Sequence, residues 1–355
     1  MKIVKEQCMQ VSISLPGPLV EIPEFTKRIE ALGYDMHVFN ETSFDPFTRM
    51  AVSALHSENA TLTTSVALAF PRSPYVLAQM AWEIQRASKG RLLLGLGTQV
   101  KGHMERRFSI PWAPPGPRMR EYVECLRAIW KTWQTGEINI YEGEYYQFQR
   151  MNPTSDPGPI DHPEIPILLS AVNPWMARLS GEAGQGIVMH GFSTPQYTSE
   201  VIIPAVIEGA NRAGRSLKDI YIRGGGGFIA TGKTEEEVHK VREWVRTRVA
   251  YYGSTRSYHK VLATHGWDDL GAELHRLSMN YSWDEMTALI TDDILDEFVV
   301  SGTWDELPAV LRDRYSGIAT DISFAPDIQN IDDLEQIAEV IAEIKEIPTF
   351  ADVNG

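Results

Sequence analysis

The side chains best suited to chemistry in this sequence are polar groups that follow short apolar segments. Asn40–Glu41–Thr42, Thr98–Gln99 with His103 just beyond, and Val172–Asn173 each come directly after such a segment. Amides, hydroxyls and backbone groups predominate at these positions, and charged side chains are few. This set suits the binding of a polar heterocycle that carries a phosphate better than it suits hydrolysis by paired carboxylates.

The common local signatures of catalysis and phosphate binding are missing. Gly95 and Gly97 begin a G-x-G pattern, but Val100 stands where the third glycine of a dinucleotide fingerprint would be. The sequence has no P-loop, no G-x-S-x-G and no H-E-x-x-H, and its histidines show no metal-ligand spacing. We therefore expect no metal. Gly224–Gly227 resembles a phosphate cradle, but we interpret it as lying within or beside a strand.

The elements that must position these groups alternate along the chain. Segments such as RLLLGLG are apolar throughout, which is typical of parallel strands covered on both faces. The predicted strands are Cys8–Leu15, Met36–Asn40, Thr61–Ala69, Arg91–Gly97, Ile165–Ala171, Gly186–His190, Asp219–Ala230 and Asp321–Ala325. The predicted helices are Ile22–Leu32, Pro74–Ser88, Arg118–Trp133, Trp175–Ala183, Ser199–Ala213, Glu235–Tyr251 and Ile331–Ile344. A strand followed by a helix, repeated about eight times, predicts an α/β fold, the (β/α)8 TIM barrel, with its chemistry at the C-terminal strand ends.

The length of 355 residues exceeds the roughly 250 of a typical barrel. Two segments break the alternation, at about 136–164 and 254–307, and neither has the apolar periodicity for a core of its own. We expect a single barrel domain over residues 1–355 with these two insertions, which would supply much of the substrate pocket.

Charge and cysteine content exclude several classes of partner. The chain has 33 Lys and Arg against 47 Asp and Glu, a net charge of −14, which disfavours nucleic acid and anionic membranes. Only two cysteines are present, no apolar run is long enough for a membrane span, and the start lacks an apolar export core. We expect a cytoplasmic protein in which any anionic ligand is held by local donors.

Two adjoining segments resemble a known family. GRLLLGLGTQVKGHMERRF, followed by WAPPGPRMREYVECLRAIW, is similar to the luciferase-like monooxygenase superfamily, and most closely to its F420-dependent oxidoreductase branch. The segments FPRSPYVLAQMAWEIQRASKGR and IPILLSAVNPWMARLSGEAGQGIVMHGF extend the resemblance over most of the chain except 254–300. It implies a bacterial-luciferase-like barrel with coenzyme F420, or alternatively FMN, at the C-terminal mouth, and commonly a homodimer.

The resemblance also implies cofactor-binding positions. A bulge after strand three, with a non-prolyl cis bond at Ser65–Val66, would lie behind the central ring of the cofactor. Thr98 and Gln99 would line the ring edge or the ribityl chain. Ala171, Val172 and Asn173 would present backbone N–H groups to the phosphate, and Asn173 would also suit the N-cap of the next helix.

The same resemblance suggests two catalytic residues, Glu41 and His103, either of which would move a proton. Thr42 stands where the sugar-phosphate dehydrogenases of the family have a histidine, and Val100 stands where they have a glutamate. We therefore do not expect a sugar phosphate as the substrate.

The expected function is F420-dependent hydride transfer between deazaflavin C5 and a small organic substrate. One alternative is an FMN-dependent monooxygenase that uses O2 and reduced flavin from a partner reductase. Another is a non-catalytic flavin-binding barrel, which would lack an open substrate cavity beside the ring. A cofactor-free isomerase or hydrolase is disfavoured by the absence of paired acids or a lysine at the strand ends.

Overall fold

Eight short strands, each parallel to its neighbours, close into a barrel in the computed structural model, which describes residues 8–15, 17–326 and 333–354. The barrel strands are β1 (Gln10–Ser14), β2 (Met36–Phe39), β3 (Thr61–Thr64), β4 (Leu92–Gly97), β5 (Ile167–Ala171), β6 (Gly186–Met189), β7 (Tyr221–Arg223) and β8 (Asp321–Ser323). Each pairs with the next, and β8 returns to β1, where Gln10 lies beside Asp321. The predicted barrel is confirmed.

The apolar strands have both faces buried, which explains their lack of polar alternation. Alternate residues point into the barrel, where a small apolar cluster forms. Its members are Met36, Val38, Leu93, Leu168, Val188 and Tyr221. The other face of each strand joins the larger core beneath the helices.

A helix follows each barrel strand and packs on the outside. These helices are α1 (Ile22–Ala31), α2 (Pro46–His56), α3 (Pro74–Ala87), α4 (Pro115–Thr135), α5 (Pro174–Ala183), α6 (Ile203–Arg212), α7 (Leu307–Tyr315) and α8 (Leu334–Lys345). Several begin with a side-chain cap followed by proline: Asp45 accepts from the Thr48 N–H, and Ser73 accepts from the Val76 N–H. The sequence prediction missed α2.

The strand predicted over Asp219–Ala230 is wrong as a single element. It divides into β7 and a separate strand, Phe228–Gly232, which pairs in parallel with Val299–Thr303 outside the barrel. Gly224, Gly226 and Gly227 have φ values of 66°, 79° and 82°, so the chain between the two strands cannot continue as β-structure.

The segment that leaves the barrel after β7 therefore starts before residue 254. The long helix Glu235–Gly253 packs on the small two-stranded sheet, and α7 occupies the place of the barrel helix after β7. The remaining pieces of this segment are Arg256–Tyr258, His259–Ala263, Asp268–Met279, Trp283–Ala288 and Asp292–Phe298.

Residues between α4 and β5 form a second excursion. Strands Tyr141–Glu142 and Gln147–Phe148 make an antiparallel hairpin. The chain then runs along α3, where Trp82 Nε1 donates to the Gly158 carbonyl at 3.1 Å and Gln85 Nε2 donates to the His162 carbonyl at 3.0 Å.

Shorter elements complete the described chain. They are Leu19–Glu21, Ala67–Leu68, Lys101–Arg106, Pro153–Ser155, Pro195–Tyr197, the π-helical Thr198–Ile202, Leu217–Asp219 and Phe350–Asn354. Within the described ranges, no helix combines the length and apolar character needed to cross a bilayer. Residues 1–7, on which the expected lack of an export signal depends, and residues 331–332 of the last predicted helix lie outside the described residues.

Candidate active site at the barrel mouth

The end of β3 carries one extra residue relative to β4. Thr63 pairs with Leu93, but after the interruption Ala67 pairs with Leu96, so three residues of one strand face two of the other. The Thr64 hydroxyl fills the gap, since it donates to the Gly95 carbonyl at 2.6 Å and accepts from the Gly95 N–H at 3.0 Å. Such a bulge redirects side chains and is common beside active sites.

The bulge holds Ser65 and Val66, and the peptide bond between them is cis, as the family resemblance predicts. Gly97 of β4 lies directly against it: a Cβ on Gly97 would stand 2.5 Å from Val66 Cγ2. A Cβ on Gly95 would stand 2.0 Å from the Thr64 carbonyl oxygen. Both glycines are therefore needed for the bulge to approach β4 this closely.

A cavity of about 210 Å³ opens at the C-terminal ends of the strands, next to the bulge. Ser65 borders it, whereas the other predicted site residues do not line it. The lining residues are Ser14, Val38, Asn40, Ser65, Val188, Met189, Arg223–Gly227, Ile229, Tyr315 and Asp321–Ser323. Most of the polar groups here were missed by the sequence reasoning.

The most prominent missed feature is a buried ion pair between Arg223 of β7 and Asp321 of β8. Arg223 Nη1 contacts Asp321 Oδ2 and also reaches the Ser12 hydroxyl at 3.4 Å. Arg223 is 6% exposed and Asp321 is fully buried. The signal available in the sequence is a charged residue at an inward-facing position of each of the last two strands.

The loop Gly224–Gly227 lies at the mouth, and its shape depends on the absence of side chains. A Cβ on Gly225 would stand 1.9 Å from Cδ1 of Tyr315, which comes from α7. The Tyr315 hydroxyl donates to the Gly226 carbonyl at 2.8 Å. Burial raises the pKa of Tyr315, so this hydroxyl keeps its proton and remains a donor.

Glu41 lies in an ion-pair network that braces the segment after the bulge. Its carboxylate accepts from the Leu68 N–H at 2.7 Å and from Arg72 Nη1 at 2.8 Å, and Arg72 also pairs with Asp45 at 2.9 Å. Burial alone would raise the pKa of Asp45, but hydrogen bonds from Thr48 and the Arg72 charge outweigh it and hold that pKa below its usual value. The Glu41 carboxylate is thus already engaged.

Thr98, Gln99 and His103 follow β4 and lead into the short helix Lys101–Arg106. Gln99 has φ of 61°, and its side-chain oxygen accepts from the Val100 N–H at 2.9 Å. Thr98 and His103 are half-buried, and His103 Nδ1 has no partner among the described residues. Exposed Lys101 and the arginines that follow place positive charge at this strand end.

Ala171, Val172 and Asn173 connect β5 to α5. The Val172 carbonyl accepts from the Tyr197 hydroxyl at 2.8 Å, and burial raises the pKa of Tyr197 to about 12. The Asn173 side chain accepts from the Met176 N–H at 3.0 Å, so the predicted N-cap is present. Pro174 has no N–H, and the Ala177 N–H donates to the Asn173 carbonyl at 3.0 Å, so the Trp175 N–H is the one left without a partner in this turn among the described residues.

Comparison with known proteins identifies the family. The family model for luciferase-like monooxygenase matches residues 4–321. The chain belongs to this family. Proteins similar to it in sequence include an uncharacterised protein of Mycobacterium tuberculosis, 39% identical over 305 residues, or 86% of this chain and 89% of the relative. A 5,10-methylenetetrahydromethanopterin reductase of Archaeoglobus fulgidus is 27% identical over 296 residues, or 81% and 83% of the two chains.

Solved structures share the luciferase-like barrel. The coenzyme F420-dependent tetrahydromethanopterin reductase of Methanopyrus kandleri has a TM-score of 0.75 at 20% identity and covers 96% of this chain and 98% of its own. The FMN-bound oxygenating constituent of 3,6-diketocamphane monooxygenase from Pseudomonas putida has a TM-score of 0.60 at 16% identity, with 96% and 98% coverage. At these identities the likeness concerns the fold.

The residues of this luciferase-like site fit a flavin-type ring. The bulge and Gly97 provide an apolar surface at Val66 with no side chain opposite it on β4. Hydroxyl, amide and backbone groups surround the adjoining cavity, as a heterocycle with several polar edges requires. Nowhere in the described part of the chain do three or more His, Cys, Asp or Glu side chains stand close enough together to hold a metal ion.

Proposed function

We propose that the protein is an F420-dependent oxidoreductase that transfers a hydride between deazaflavin C5 and a small organic substrate. The observation that carries the proposal is the bulge pressed against Gly97 beside the mouth cavity. It offers a flat apolar support for a planar ring, and the cavity offers room for a substrate next to it. An open cavity also favours an enzyme over a flavin-storage barrel.

Sequence similarity favours F420 over FMN as the cofactor. The similar reductase of Archaeoglobus fulgidus is matched over most of both chains. An F420-dependent glucose-6-phosphate dehydrogenase of Intrasporangium calvum is 30% identical over 222 residues, or 56% of this chain and 62% of the relative. When bound, the deazaflavin supplies the hydride chemistry.

The chain's own residues would bind and orient the cofactor from three strand ends. Ser65 and Val66 would support the ring, and Thr98 and Gln99 would contact its edge or the ribityl chain. Ala171, Val172 and Asn173 would present backbone N–H groups to the phosphate. Lys101 would add the local positive charge that an anionic cofactor needs on a chain with a net charge of −14.

We assign the accompanying proton transfer to His103 rather than Glu41. The Glu41 carboxylate is held by Arg72 and by the Leu68 N–H, so it suits a role in positioning the bulge. His103 Nδ1 is sealed from solvent and has no partner among the described residues, so no described group holds this ring nitrogen. We expect His103→Gln to lower kcat and to alter the pH profile of kcat while leaving the Kd for F420 unchanged.

The test of the cofactor is direct. The purified protein is titrated with F420 and, separately, with FMN, and oxygen consumption is followed with reduced FMN. We expect F420 to bind with micromolar affinity and reduced FMN to give no oxygen consumption above the free-flavin rate. Micromolar FMN binding without F420 binding would overturn the proposal and favour the FMN-dependent monooxygenase.

Assembly and partners are part of the same proposal. We expect a homodimer in the cytoplasm that acts on a small molecule, with an F420 or flavin reductase as the source of reduced cofactor. Light scattering coupled to gel filtration measures the oligomeric state, and a monomer at micromolar concentration contradicts the dimer.

A further inference from the structure

One nitrogen of the Arg223 guanidinium is neither sealed from solvent nor hydrogen-bonded to a described residue. Nη1 is engaged by Asp321 and Ser12, and Nε is sealed from solvent without a partner. The third nitrogen, Nη2, donates to no residue in the described ranges and is not among the sealed atoms. Because Arg223 borders the cavity, Nη2 is the atom that faces it.

Other donors belong to residues that border the same cavity. The Ser14 hydroxyl accepts from Asn40 Nδ2 at 2.9 Å, which leaves its own O–H free to donate. The N–H groups of Gly225 and Gly226 meet no acceptor within the described part of the chain. On the acceptor side, Asp321 Oδ2 is bound to Arg223 and Oδ1 is sealed from solvent. An acceptor on the ligand would satisfy the free donors of Arg223, Ser14 and the glycine loop, and an oxygen would fill that role.

The charge of the lining decides which kind of oxygen fits. Arg223, Asp321 and Tyr315 are the titratable residues that border the cavity. Asp321 neutralises Arg223, and the Tyr315 hydroxyl keeps its proton. A carboxylate or phosphate would add an uncompensated charge to a partly enclosed neutral site, in a protein of net charge −14.

We propose that Arg223, Ser14 and the Gly224–Gly227 loop form a recognition subsite for an uncharged carbonyl oxygen. The oxygen accepts from Arg223 Nη2 and from the loop N–H groups. It belongs either to a ketone or amide substrate or to a ring carbonyl of the cofactor. The assignment to one of these two sources rests on the proposed function, whereas the preference for a neutral carbonyl does not.

The test removes both charges of the pair together, because a lone buried charge would strongly destabilise the barrel. Cyclohexanone and cyclohexanecarboxylate are titrated into the wild type and into Arg223→Met/Asp321→Leu, with binding followed by ligand-observed NMR. F420 is titrated into both by fluorescence. The same pair of changes at Arg242 and Asp296, a more exposed ion pair in the segment that follows β7, is the control for changes away from the cavity.

We expect the double variant to lose at least tenfold in affinity for one carbonyl ligand and the control to lose none. A loss confined to cyclohexanone assigns the oxygen to the substrate, and a loss for F420 assigns it to the cofactor. Unchanged affinity for both ligands overturns the proposal, as does carboxylate binding tenfold tighter than cyclohexanone. If the wild type binds no F420, the proposed function fails and the cyclohexanone titration alone decides the subsite.

A second variant keeps the test decisive if the double variant does not fold. Tyr315→Phe preserves the ion pair but removes the hydrogen bond that holds the Gly226 carbonyl. We expect it to weaken the same carbonyl ligand severalfold while the affinity for cyclohexanecarboxylate stays unchanged. Equal weakening of both ligands would indicate a merely structural role and would contradict the subsite.

Discussion

The contact between Gly97 and Val66 can be tested by adding a single methyl group to Gly97. Gly97→Ala places a Cβ 2.5 Å from Val66 Cγ2, whereas carbon atoms ordinarily approach to about 3.5 Å. Val66, or the bulge that carries it, must therefore move by about 1 Å. Overpacking of this kind costs about 1–3 kcal/mol in the free energy of unfolding.

A double-mutant cycle isolates that contact. Val66→Ala removes Cγ2 and, because Val66 is only half-buried, costs about 1 kcal/mol alone. In the Val66→Ala background, the Cβ added by Gly97→Ala no longer meets Cγ2. The coupling free energy between the two changes is therefore about 1–2 kcal/mol. The coupling is read from urea unfolding followed by circular dichroism. A titration with F420 then shows whether the displaced bulge also weakens cofactor binding.

Two further glycines serve as controls in the same assay. Gly102, in the short helix after β4, has open space around an added Cβ, so Gly102→Ala stabilises the protein by about 0.5–1 kcal/mol. Gly95→Ala meets the Thr64 carbonyl oxygen at 2.0 Å, and Val66→Ala does not relieve it. If Gly97→Ala costs the same with and without Val66→Ala, the assigned contact is wrong.

Three other changes have defined outcomes. Glu41→Gln keeps an acceptor for the Leu68 N–H but removes the negative charge that pairs with Arg72, so we expect the free energy of unfolding in urea to fall by about 1.5–3 kcal/mol. Unchanged stability with lost turnover would instead make Glu41 catalytic. Burial lowers the pKa of His37 to about 4, with Glu30 opposing the shift, while an unfolded histidine titrates near 6.5. The unfolded state therefore binds the proton first, and stability falls by about 2 kcal/mol from pH 7 to pH 5; His37→Gln should flatten this fall, and an unaltered slope contradicts the assignment. Asn173→Ala removes the cap of α5 and costs about 1 kcal/mol, whereas Asn173→Asp keeps it; equal melting temperatures for these two variants would refute the cap.

The barrel was predictable because its signals are local and repeated. Strands such as Leu92–Gly97 are apolar throughout, and helix starts such as Ser73–Pro74 carry a cap followed by proline. The bulge at Ser65–Val66 was predictable only through the family resemblance. No local pattern predicts an extra residue there, because the space for the bulge is provided by Gly95 and Gly97 on the neighbouring strand.

Two of the errors have a common physical cause, which is that packing between residues distant in sequence decides the structure. The run RGGGGFIATG is compatible with one strand, and only the Tyr315 ring against Gly225 and the left-handed glycines divide it. Arg223 and Asp321 are 98 residues apart in sequence, so neither identifies the other as its partner. Helix α2 was missed although Asp45–Pro46 is a regular helix start, which the sequence reasoning overlooked.

The pairing of β7 with β8 has a consequence for how this chain can change over evolutionary time. The two strands share a single register pair, Arg223 with Asp321, and the whole segment that leaves the barrel after β7 is inserted between them. Lengthening a flexible connection costs little, since two doublings of its length cost only about 1.2 kcal/mol in closure entropy. We therefore expect insertions, deletions and replacement of this segment to be tolerated between β7 and β8, as long as Arg223 and Asp321 are retained or replaced together.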